Sequence, residues 1–206
     1  MNNWVQKYRP KNIDDCVIVD SLRDRFNRFV ERENFPHLLF HGDAGTGKTS
    51  VAKAILKTID ADYLEINGSL DNGIDVLREV VEPFASTYSL FGKRKYVLLD
   101  EADGLTHKVQ PALRNFMEKY ADNCGFILTC NFADKIIQPL HSRCSVINFN
   151  IPKNQRGIVR DSFNQRIENI LKIEGVDYEK NEVNKIVKEY FPDFRRTLNE
   201  LESLYC

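Results

Sequence analysis

Short apolar runs alternate with amphipathic stretches over the first 150 residues of this 206-residue sequence. Unbroken apolar runs that are bounded by turn-forming residues are typical of buried strands. We predict five such strands, over residues 37–41, 63–66, 95–100, 125–130 and 145–149.

Between these runs, apolar residues recur every three or four positions, which predicts helices that pack one face against the strands. The helical faces cover residues 51–59, 74–81 and 109–120. The second face is interrupted near Pro83, and Pro111 lies in the first turn of the third, where proline is tolerated. Strands that alternate with helices predict an α/β fold with a parallel sheet covered on both faces.

The pattern changes after Pro152, where no strand signal remains. Three amphipathic helical faces follow, over residues 159–171, 183–191 and 194–205. We therefore predict an α/β domain over residues 1–150 and a small three-helix unit over residues 151–206.

Composition narrows the class of protein. Apolar residues make up 42% and charged residues 29%, which excludes a disordered, collagenous or low-complexity chain. The net charge of -1 excludes a strongly basic protein that coats nucleic acid, but it allows a local DNA-contacting surface. No apolar stretch is long enough for a membrane span, and the N-terminus lacks the apolar core of a secretory signal.

The five cysteines form an odd set without a CxxC pair. Together with the missing signal, this predicts reduced thiols in a cytoplasmic compartment. The cysteines and histidines also lack the close spacing of zinc ligands, which speaks against a zinc site.

Residues 42–49, Gly-Asp-Ala-Gly-Thr-Gly-Lys-Thr, fit the pattern G-x-x-x-x-G-K-[ST] between a predicted strand and a predicted helix. Glycines let the backbone curl so that its N–H groups face a phosphate, and the helix N-terminus adds positive potential. Lys48 can reach the β- and γ-phosphates, and the Thr49 hydroxyl can bind Mg²⁺. We therefore predict a phosphate-binding loop for ATP and Mg²⁺, with a plain glycine-rich turn as the alternative.

Asp100 and Glu101 follow an apolar run and stand at the carboxyl end of a predicted central strand, where open α/β sheets bind ligands. Asp100 can hold hydrated Mg²⁺, and Glu101 can polarise an attacking water. The alternative is an acidic turn that ends the strand. Residues 100–103 also spell a DEAD-type helicase box, but such helicases need a second lobe for which this length leaves no room.

Other polar residues are candidates with a structural alternative. Asn131 closes the fourth strand, where it can orient a water or simply form a turn. Arg143 offers a planar fork of donors that suits a transferring phosphoryl group, unless it is an ordinary surface arginine. Arg195 and Arg196 open the last helix against its macrodipole, which indicates an external anion for at least one of them. We interpret the basic run 93–95 as a solvated loop rather than a DNA contact.

Taken in order, these motifs resemble those of AAA+ sliding-clamp loader subunits. The resemblance runs from Trp4 to the end of the chain, and the Ser-Arg-Cys motif is its most family-specific part. It is closest to the ATPase subunit of T4-type phage clamp loaders and is similar to the small subunits of replication factor C. The motifs are Trp4, Lys7-Tyr8-Arg9-Pro10, 42–49, 100–103, 116–120, Thr129-Cys130-Asn131, Ser142-Arg143-Cys144 and 191–196.

The resemblance implies a role for each candidate. Glu101 would activate water, Asn131 would be sensor 1, Arg195 sensor 2, and Arg143 the arginine finger that acts on a neighbouring subunit's ATP. Thr49 and Asp100 would hold Mg²⁺. The implied nucleotide-binding residues are Val5, Gln6, Lys7, Tyr8, Val17, Gly42, Gly45, Thr46, Gly47, Lys48, Thr49, Ser50 and Arg195.

The resemblance also implies the strand order 5-1-4-3-2 and a function in loading a sliding clamp onto DNA. ATP binding would open a ring-shaped clamp and place it on primer–template DNA, and ATP hydrolysis would release the loader. The implied partners are the sliding clamp, the DNA and the other subunits of a hetero-pentamer, in the cytoplasm of the host if the protein is phage-encoded. Helices that start near Gly73 and Leu105 would follow the DNA phosphates.

Two other functions stay open. Another AAA+ motor, such as a branch-migration or recombination ATPase, would share the phosphate-binding loop and the sensors but not residues 7–10 and 142–144. A structural loader subunit that does not hydrolyse ATP would lack some of the catalytic residues, which are all present here. The resemblance implies that the three-helix unit 151–206 is a lid over the nucleotide. Clamp-loader subunits carry a further helical collar domain, and this sequence ends at the lid. We therefore expect weak self-assembly of residues 1–206.

Overall fold

A computed structural model describes residues 3–89 and 92–205. In this part of the chain, a single five-stranded sheet has the order β2-β3-β4-β1-β5, which confirms the expected order. Every neighbouring pair is parallel, so the carboxyl ends of all strands lie at one edge. The strands are β1 (Leu38–His41), β2 (Tyr63–Asn67), β3 (Lys95–Asp100), β4 (Cys124–Cys130) and β5 (Ser145–Asn148).

Helices cover both faces of the sheet and form the C-terminal part of the chain. Three helices, Trp4–Lys7, Asp20–Arg32 and Gln138–Arg143, were not predicted, because the first and third are short and the second buries only Phe26 completely. The helices are α1 (Trp4–Lys7), α2 (Asp20–Arg32), α3 (Lys48–Thr58), α4 (Ile74–Val76), α5 (Glu82–Ala85), α6 (Val109–Lys119), α7 (Gln138–Arg143), α8 (Arg156–Glu174), α9 (Lys180–Tyr190) and α10 (Phe194–Tyr205).

Pro83 does not interrupt its helix as expected. A π-helical stretch, Leu77–Val81, joins α4 to α5, and Pro83 lies in the first turn of α5. Because the wider π turns relax the hydrogen-bond ladder ahead of the ring, the missing N–H of the proline does not end the helical path.

Two apolar clusters enclose the sheet, one on each face. The side chains of β1 alternate between them: Leu39 packs in the cluster that contains α6, while Leu38 and Phe40 pack against α2 and α3. All three side chains are fully buried. This double coverage explains why the central strands read as continuous apolar runs.

A third apolar cluster lies among α8, α9 and α10, as the three helical faces of the sequence predict. Its buried members include Phe163, Leu171 and Leu201. Trp4 joins the cluster from the opposite end of the chain, and its backbone N–H donates to Glu202 at 3.0 Å. The N-terminal segment is therefore anchored on the C-terminal helices.

The basic run 93–95 is not a solvated loop, so that interpretation was wrong. The guanidinium of Arg94 donates to the backbone carbonyls of Phe35 at 2.7 Å and Ala121 at 2.6 Å. Lys95 is buried as the first residue of β3, and its ammonium donates to the Thr87 hydroxyl at 2.7 Å. These cations satisfy backbone and hydroxyl oxygens at the amino end of the sheet, which buried polar groups require.

Two further features concern the described residues only. No helix among them is both long and apolar enough to cross a membrane. Cys16, Cys124, Cys130 and Cys144 are free thiols, and burial raises the pKa of each to about 12. Cys206 lies outside the described residues.

We expect His37 to make the stability of the fold depend on pH. Its Nδ1 accepts a hydrogen bond from the backbone N–H of Phe126 at 3.1 Å, and burial lowers the pKa of His37 to about 4. Since the folded pKa lies below the ordinary value of 6.5, the stabilisation is present above pH 6.5 and is lost as the pH falls toward 4. Between pH 7 and pH 5 the free energy of unfolding should fall by about 2 kcal/mol more in the wild type than in His37→Gln.

Urea unfolding of both proteins at the two pH values measures this difference. His107→Gln, at an exposed histidine, is the matched control and should retain the wild-type pH dependence. An equal fall in the free energy of unfolding for the wild type and His37→Gln would contradict the lowered pKa of His37.

Candidate functional site

A cavity of about 300 Å³ opens at the carboxyl edge of the sheet, between the strands and helices α8 and α10. It is lined by the N-terminal segment, the loop before α3, the ends of β3 and β4, and the lid helices. The structure thus brings together most of the residues that the sequence singles out. Those that line the cavity are Val5, Tyr8, Val17, Gly45, Gly47, Lys48, Thr49, Ser50, Asp100, Glu101, Asn131 and Arg195.

Four of the expected nucleotide-binding residues lie outside the cavity lining. The side chains of Gln6 and Lys7 are exposed on α1, and Lys7 pairs with Glu174 at 2.7 Å instead of facing the cavity. Gly42 and Thr46 belong to the phosphate-binding loop but do not face the cavity. The Thr46 hydroxyl donates to the backbone carbonyl of Asp43 in the same loop at 2.8 Å. Gly42 and Thr46 therefore support the loop, whereas Gln6 and Lys7 take no part in the cavity.

Lys48 is the cation at the centre of the loop. Its ammonium donates to the carbonyls of Gly42 and Asp43 and to Oδ1 of Asn131, each at 2.8 Å. Lys48 is only 7% exposed, because the loop carbonyls fold around it. Burial lowers the pKa of Lys48, and neighbouring acidic groups oppose that effect. A phosphate oxygen would have to replace one of these three acceptors.

The lid rests directly on the phosphate-binding loop at Gly45. This glycine has φ +76°, and a Cβ built on it would lie 1.8 Å from Oδ1 of Asp193. The backbone N–H of Phe194, at the start of α10, donates to the Gly45 carbonyl at 3.1 Å. Only glycine fits this contact, because both the positive φ and the approach of the lid exclude a side chain.

The carboxyl end of β3 carries the acidic pair. Oδ1 of Asp100 accepts hydrogen bonds from the hydroxyls of Thr49 and Thr129, each at 2.5 Å. Glu101 follows with an exposed side chain and a left-handed backbone, φ 55°. One carboxylate beside a hydroxyl suits Mg²⁺, which keeps several waters and takes its other ligands from substrate phosphates.

The two arginines at the start of α10 differ in their surroundings. The side chain of Arg196 stacks over the Tyr190 ring, 4.5 Å from its centroid. Arg195 lines the cavity, and its side chain forms no hydrogen bond or ion pair with another described residue. Its charge is therefore available for an anion in the cavity, as the position at a helix N-terminus indicates.

An apolar compartment adjoins the phosphate-binding loop, and the sequence analysis missed most of it. Val5 and Val17 are joined there by Phe163 and Leu198 from the lid. Arg166 of α8 holds the N-terminal segment in place, donating to the carbonyl of Tyr8 at 2.8 Å and to that of residue 15 at 2.7 Å. No local motif marks these residues, since they meet only after the lid packs on the α/β part.

Arg143 ends α7 and lies outside the cavity of its own chain. Its side chain is 45% exposed and forms an ion pair with Glu118. The same carboxylate accepts from Nε of Arg114 at 2.8 Å, so Glu118 holds two guanidinium groups at the surface. Ion pairs at such exposed positions are weak and exchange readily for other partners.

The comparisons with known proteins agree with this geometry. Residues 38–151, more than half of the chain, match the ATPase family associated with various cellular activities (AAA). The chain is 38% identical over 205 residues to the replication factor C small subunit of Archaeoglobus fulgidus, covering 97% of this chain and 62% of that protein. It is 41% identical over 203 residues to the sliding-clamp-loader large subunit of Enterobacteria phage T4, covering 96% and 63%.

Among solved structures, a mutant of Thermotoga maritima RuvB superposes with a TM-score of 0.74 at 16% identity, over 93% of this chain and 64% of that one. That likeness concerns the fold alone. The chain spans a little over 60% of the length of these relatives. Its sequence match and its phosphate-binding loop at the edge of a five-stranded parallel sheet lead to one conclusion. The chain belongs to the AAA family of ATPases.

Proposed function

We propose that this chain is the ATPase subunit of a DNA polymerase sliding-clamp loader. In this proposal ATP binding opens the clamp and places it on primer–template DNA, and hydrolysis releases the loader. The observation that carries it is the similarity to replication factor C small subunits and to the T4 loader subunit over nearly the whole chain. The cavity supports it, because the phosphate-binding loop, the acidic pair and Arg195 meet there.

In this proposal, different parts of the cavity bind the phosphates, the adenine and the metal ion of MgATP. The loop and Lys48 bind the β- and γ-phosphates, the apolar compartment with Val5 and Val17 takes the adenine, and Arg195 reaches the triphosphate from the lid. Asp100 and Thr49 hold Mg²⁺, which when bound offsets the negative charge on the phosphates. We also propose a functional boundary near residue 150, with a lid over residues 151–206.

Hydrolysis needs a positioned water and a dispersed negative charge. Glu101 is the proposed general base, and its exposed carboxylate stands at the cavity rim. Asn131, which holds the Lys48 ammonium at 2.8 Å, orients the water near the γ-phosphate. Arg143 faces away from its own cavity, so we propose that it completes the site of a neighbouring subunit after leaving Glu118.

The remaining partners follow from the same proposal. The clamp and the other loader subunits would assemble with this chain in the cytoplasm, that of the host if the protein is phage-encoded. Helix N-termini would contact the DNA phosphates, which suits a chain without net positive charge. The helical path near Gly73 begins at Ile74, whereas the one that we expected near Leu105 begins at Val109.

The test of the proposal is the ATPase rate measured alone, with a candidate clamp, with primed DNA, and with both. We expect the largest stimulation with both together, because a loader couples hydrolysis to the completed complex. Lys48→Ala is the control and should lose ATP binding and turnover, since it removes the only lysine of the loop. A branch-migration motor would respond to DNA without the clamp, and a structural subunit would show no turnover; either result would overturn the proposal.

Glu101→Gln and Asp100→Asn should separate the two acidic roles. The amide of Glu101→Gln keeps its size but cannot accept a proton, so MgATP binding should persist while single-turnover hydrolysis slows by about 10²- to 10⁴-fold. Asp100→Asn should instead weaken the Mg²⁺-dependent part of ATP binding. Identical behaviour of the two variants in single-turnover and binding assays would contradict this division.

Arg143→Ala should leave ATP binding by the isolated chain unchanged and should slow hydrolysis in an assembled loader by about 10³- to 10⁵-fold. Arg114→Ala is the matched control, because Arg114 shares Glu118 with Arg143 and has no proposed role in the ATP site. Fluorescent-nucleotide binding to verified monomers and ATPase assays of the assembly measure the two effects. Loss of affinity in the monomer would place Arg143 in its own site.

A further inference from the structure

The hydroxyl of Thr129 lies between the two acidic residues of the cavity. Thr129 belongs to β4, is 2% exposed, and donates from Oγ1 to Oδ1 of Asp100 at 2.5 Å. The same oxygen accepts a hydrogen bond from the backbone N–H of Glu101 at 3.1 Å. A threonine hydroxyl has one hydrogen and two lone pairs, so a single side chain fixes both neighbours at once.

The backbone that Thr129 contacts needs such support. Glu101 has φ 55°, a left-handed conformation that is unfavourable for a residue with a Cβ and persists where the surroundings hold it. Gly68, just after β2, holds the turn from the other side, because its N–H donates to the Asp100 carbonyl at 2.7 Å. A Cβ on Gly68 would lie 2.7 Å from the Glu101 carbonyl oxygen, so glycine is needed there. The turn after β3 is thus hydrogen-bonded on both sides, to Thr129 of β4 and to Gly68 after β2.

The hydroxyls of Thr49 and Thr129 donate to the same oxygen of Asp100, but only one of them is a proposed metal ligand. Thr49 lies in the first turn of α3, next to the phosphate-binding loop, and is the proposed metal ligand. If the Thr49 oxygen binds a metal ion, the position of its side chain depends on the bound nucleotide. Thr129 instead belongs to the central strand β4, near its carboxyl end, and donates to Asp100 from the sheet itself.

The strand β4 also connects this contact to the phosphate side of the cavity. Thr129 is the last but one residue of β4, Asn131 follows the strand directly, and both residues line the cavity. Thr129 holds Asp100, and Asn131 holds the ammonium of Lys48 at 2.8 Å. One short segment therefore sets the spacing between the carboxylate and the lysine.

We propose that Thr129 is a positioning residue, which sets the Asp100 carboxylate and the Glu101 turn in the geometry that a metal-bound triphosphate requires. This inference rests on the proposed ATPase function, because only that function gives Asp100 and Glu101 their roles. Thr129 itself does not touch the reacting atoms; it acts through its two neighbours.

The experiment compares Thr129→Val, which keeps the shape but removes the hydroxyl, with Thr129→Ser, which keeps the hydroxyl. ATP affinity is measured by titration in EDTA and in Mg²⁺, and single-turnover hydrolysis is followed at saturating MgATP. For Thr129→Val we expect wild-type affinity in EDTA. The Mg²⁺-dependent gain in affinity and the hydrolysis rate should each fall by about 10- to 100-fold, as is typical when a partner of a metal ligand is lost. Thr129→Ser should restore both quantities.

The outcomes separate the inference from the function on which it rests. A wild-type protein that binds no ATP would overturn the proposed function and this inference with it. Normal wild-type behaviour together with a full Mg²⁺ gain and full turnover in Thr129→Val would overturn the inference alone. Equal losses in Thr129→Val and Thr129→Ser would also overturn it, because they would reflect packing rather than the hydroxyl. If circular dichroism shows Thr129→Val to be unfolded, Thr129→Ala serves as the hydroxyl-free variant under the same criteria.

Discussion

Three neighbouring strands, β3, β4 and β1, run parallel, and the whole cavity depends on this arrangement. Because parallel strands end at the same edge, the chain leaves each of them within reach of the others. The loop after β1, the acidic pair after β3 and Asn131 after β4 thereby converge, although 90 residues of sequence separate His41 from Asn131. In an antiparallel sheet these strand ends would alternate between opposite edges, and the side chains could not meet.

The polar groups at the carboxyl edge of the sheet form hydrogen bonds with one another. Lys48 uses loop carbonyls and Asn131, and Asp100 uses two hydroxyls, so neither charge is left buried without a partner. A bound nucleotide would have to replace some of these contacts rather than fill an unpaired site. The network therefore keeps the free protein stable while leaving its groups in position for phosphate and metal.

The second constraint comes from the C-terminal helices α8 and α10, whose residues line the cavity. Phe194 bonds to the loop at Gly45, and Arg166 ties the lid to the N-terminal segment, whose Trp4 is buried among the lid helices. Hydrogen bonds and packing thus connect the loop, the N-terminal segment and the C-terminal helices directly. A displacement of these helices would therefore act on the loop and on the N-terminal segment at once.

Much of the architecture could be predicted from local patterns. The five apolar runs predicted the strands to within one residue at each end, and the three late helical faces predicted α8, α9 and α10. The two failures have different causes. Pro83 continues a helix because a π-helical stretch directly precedes it. The basic run at Arg94 stabilises the sheet because its hydrogen-bond acceptors are distant in sequence.

The sequence by itself determined the phosphate-binding loop, the acidic pair and the fold class, because each depends on residues that are adjacent or regularly spaced along the chain. Only the tertiary structure decided that Lys48 is buried, that Lys7 turns away from the cavity, and that Arg195 rather than Arg196 faces it. It alone placed Thr129 between Asp100 and Glu101. Such contacts join strands and helices whose order in space is set by sheet pairing and lid packing, and no local pattern records which side chains then face each other.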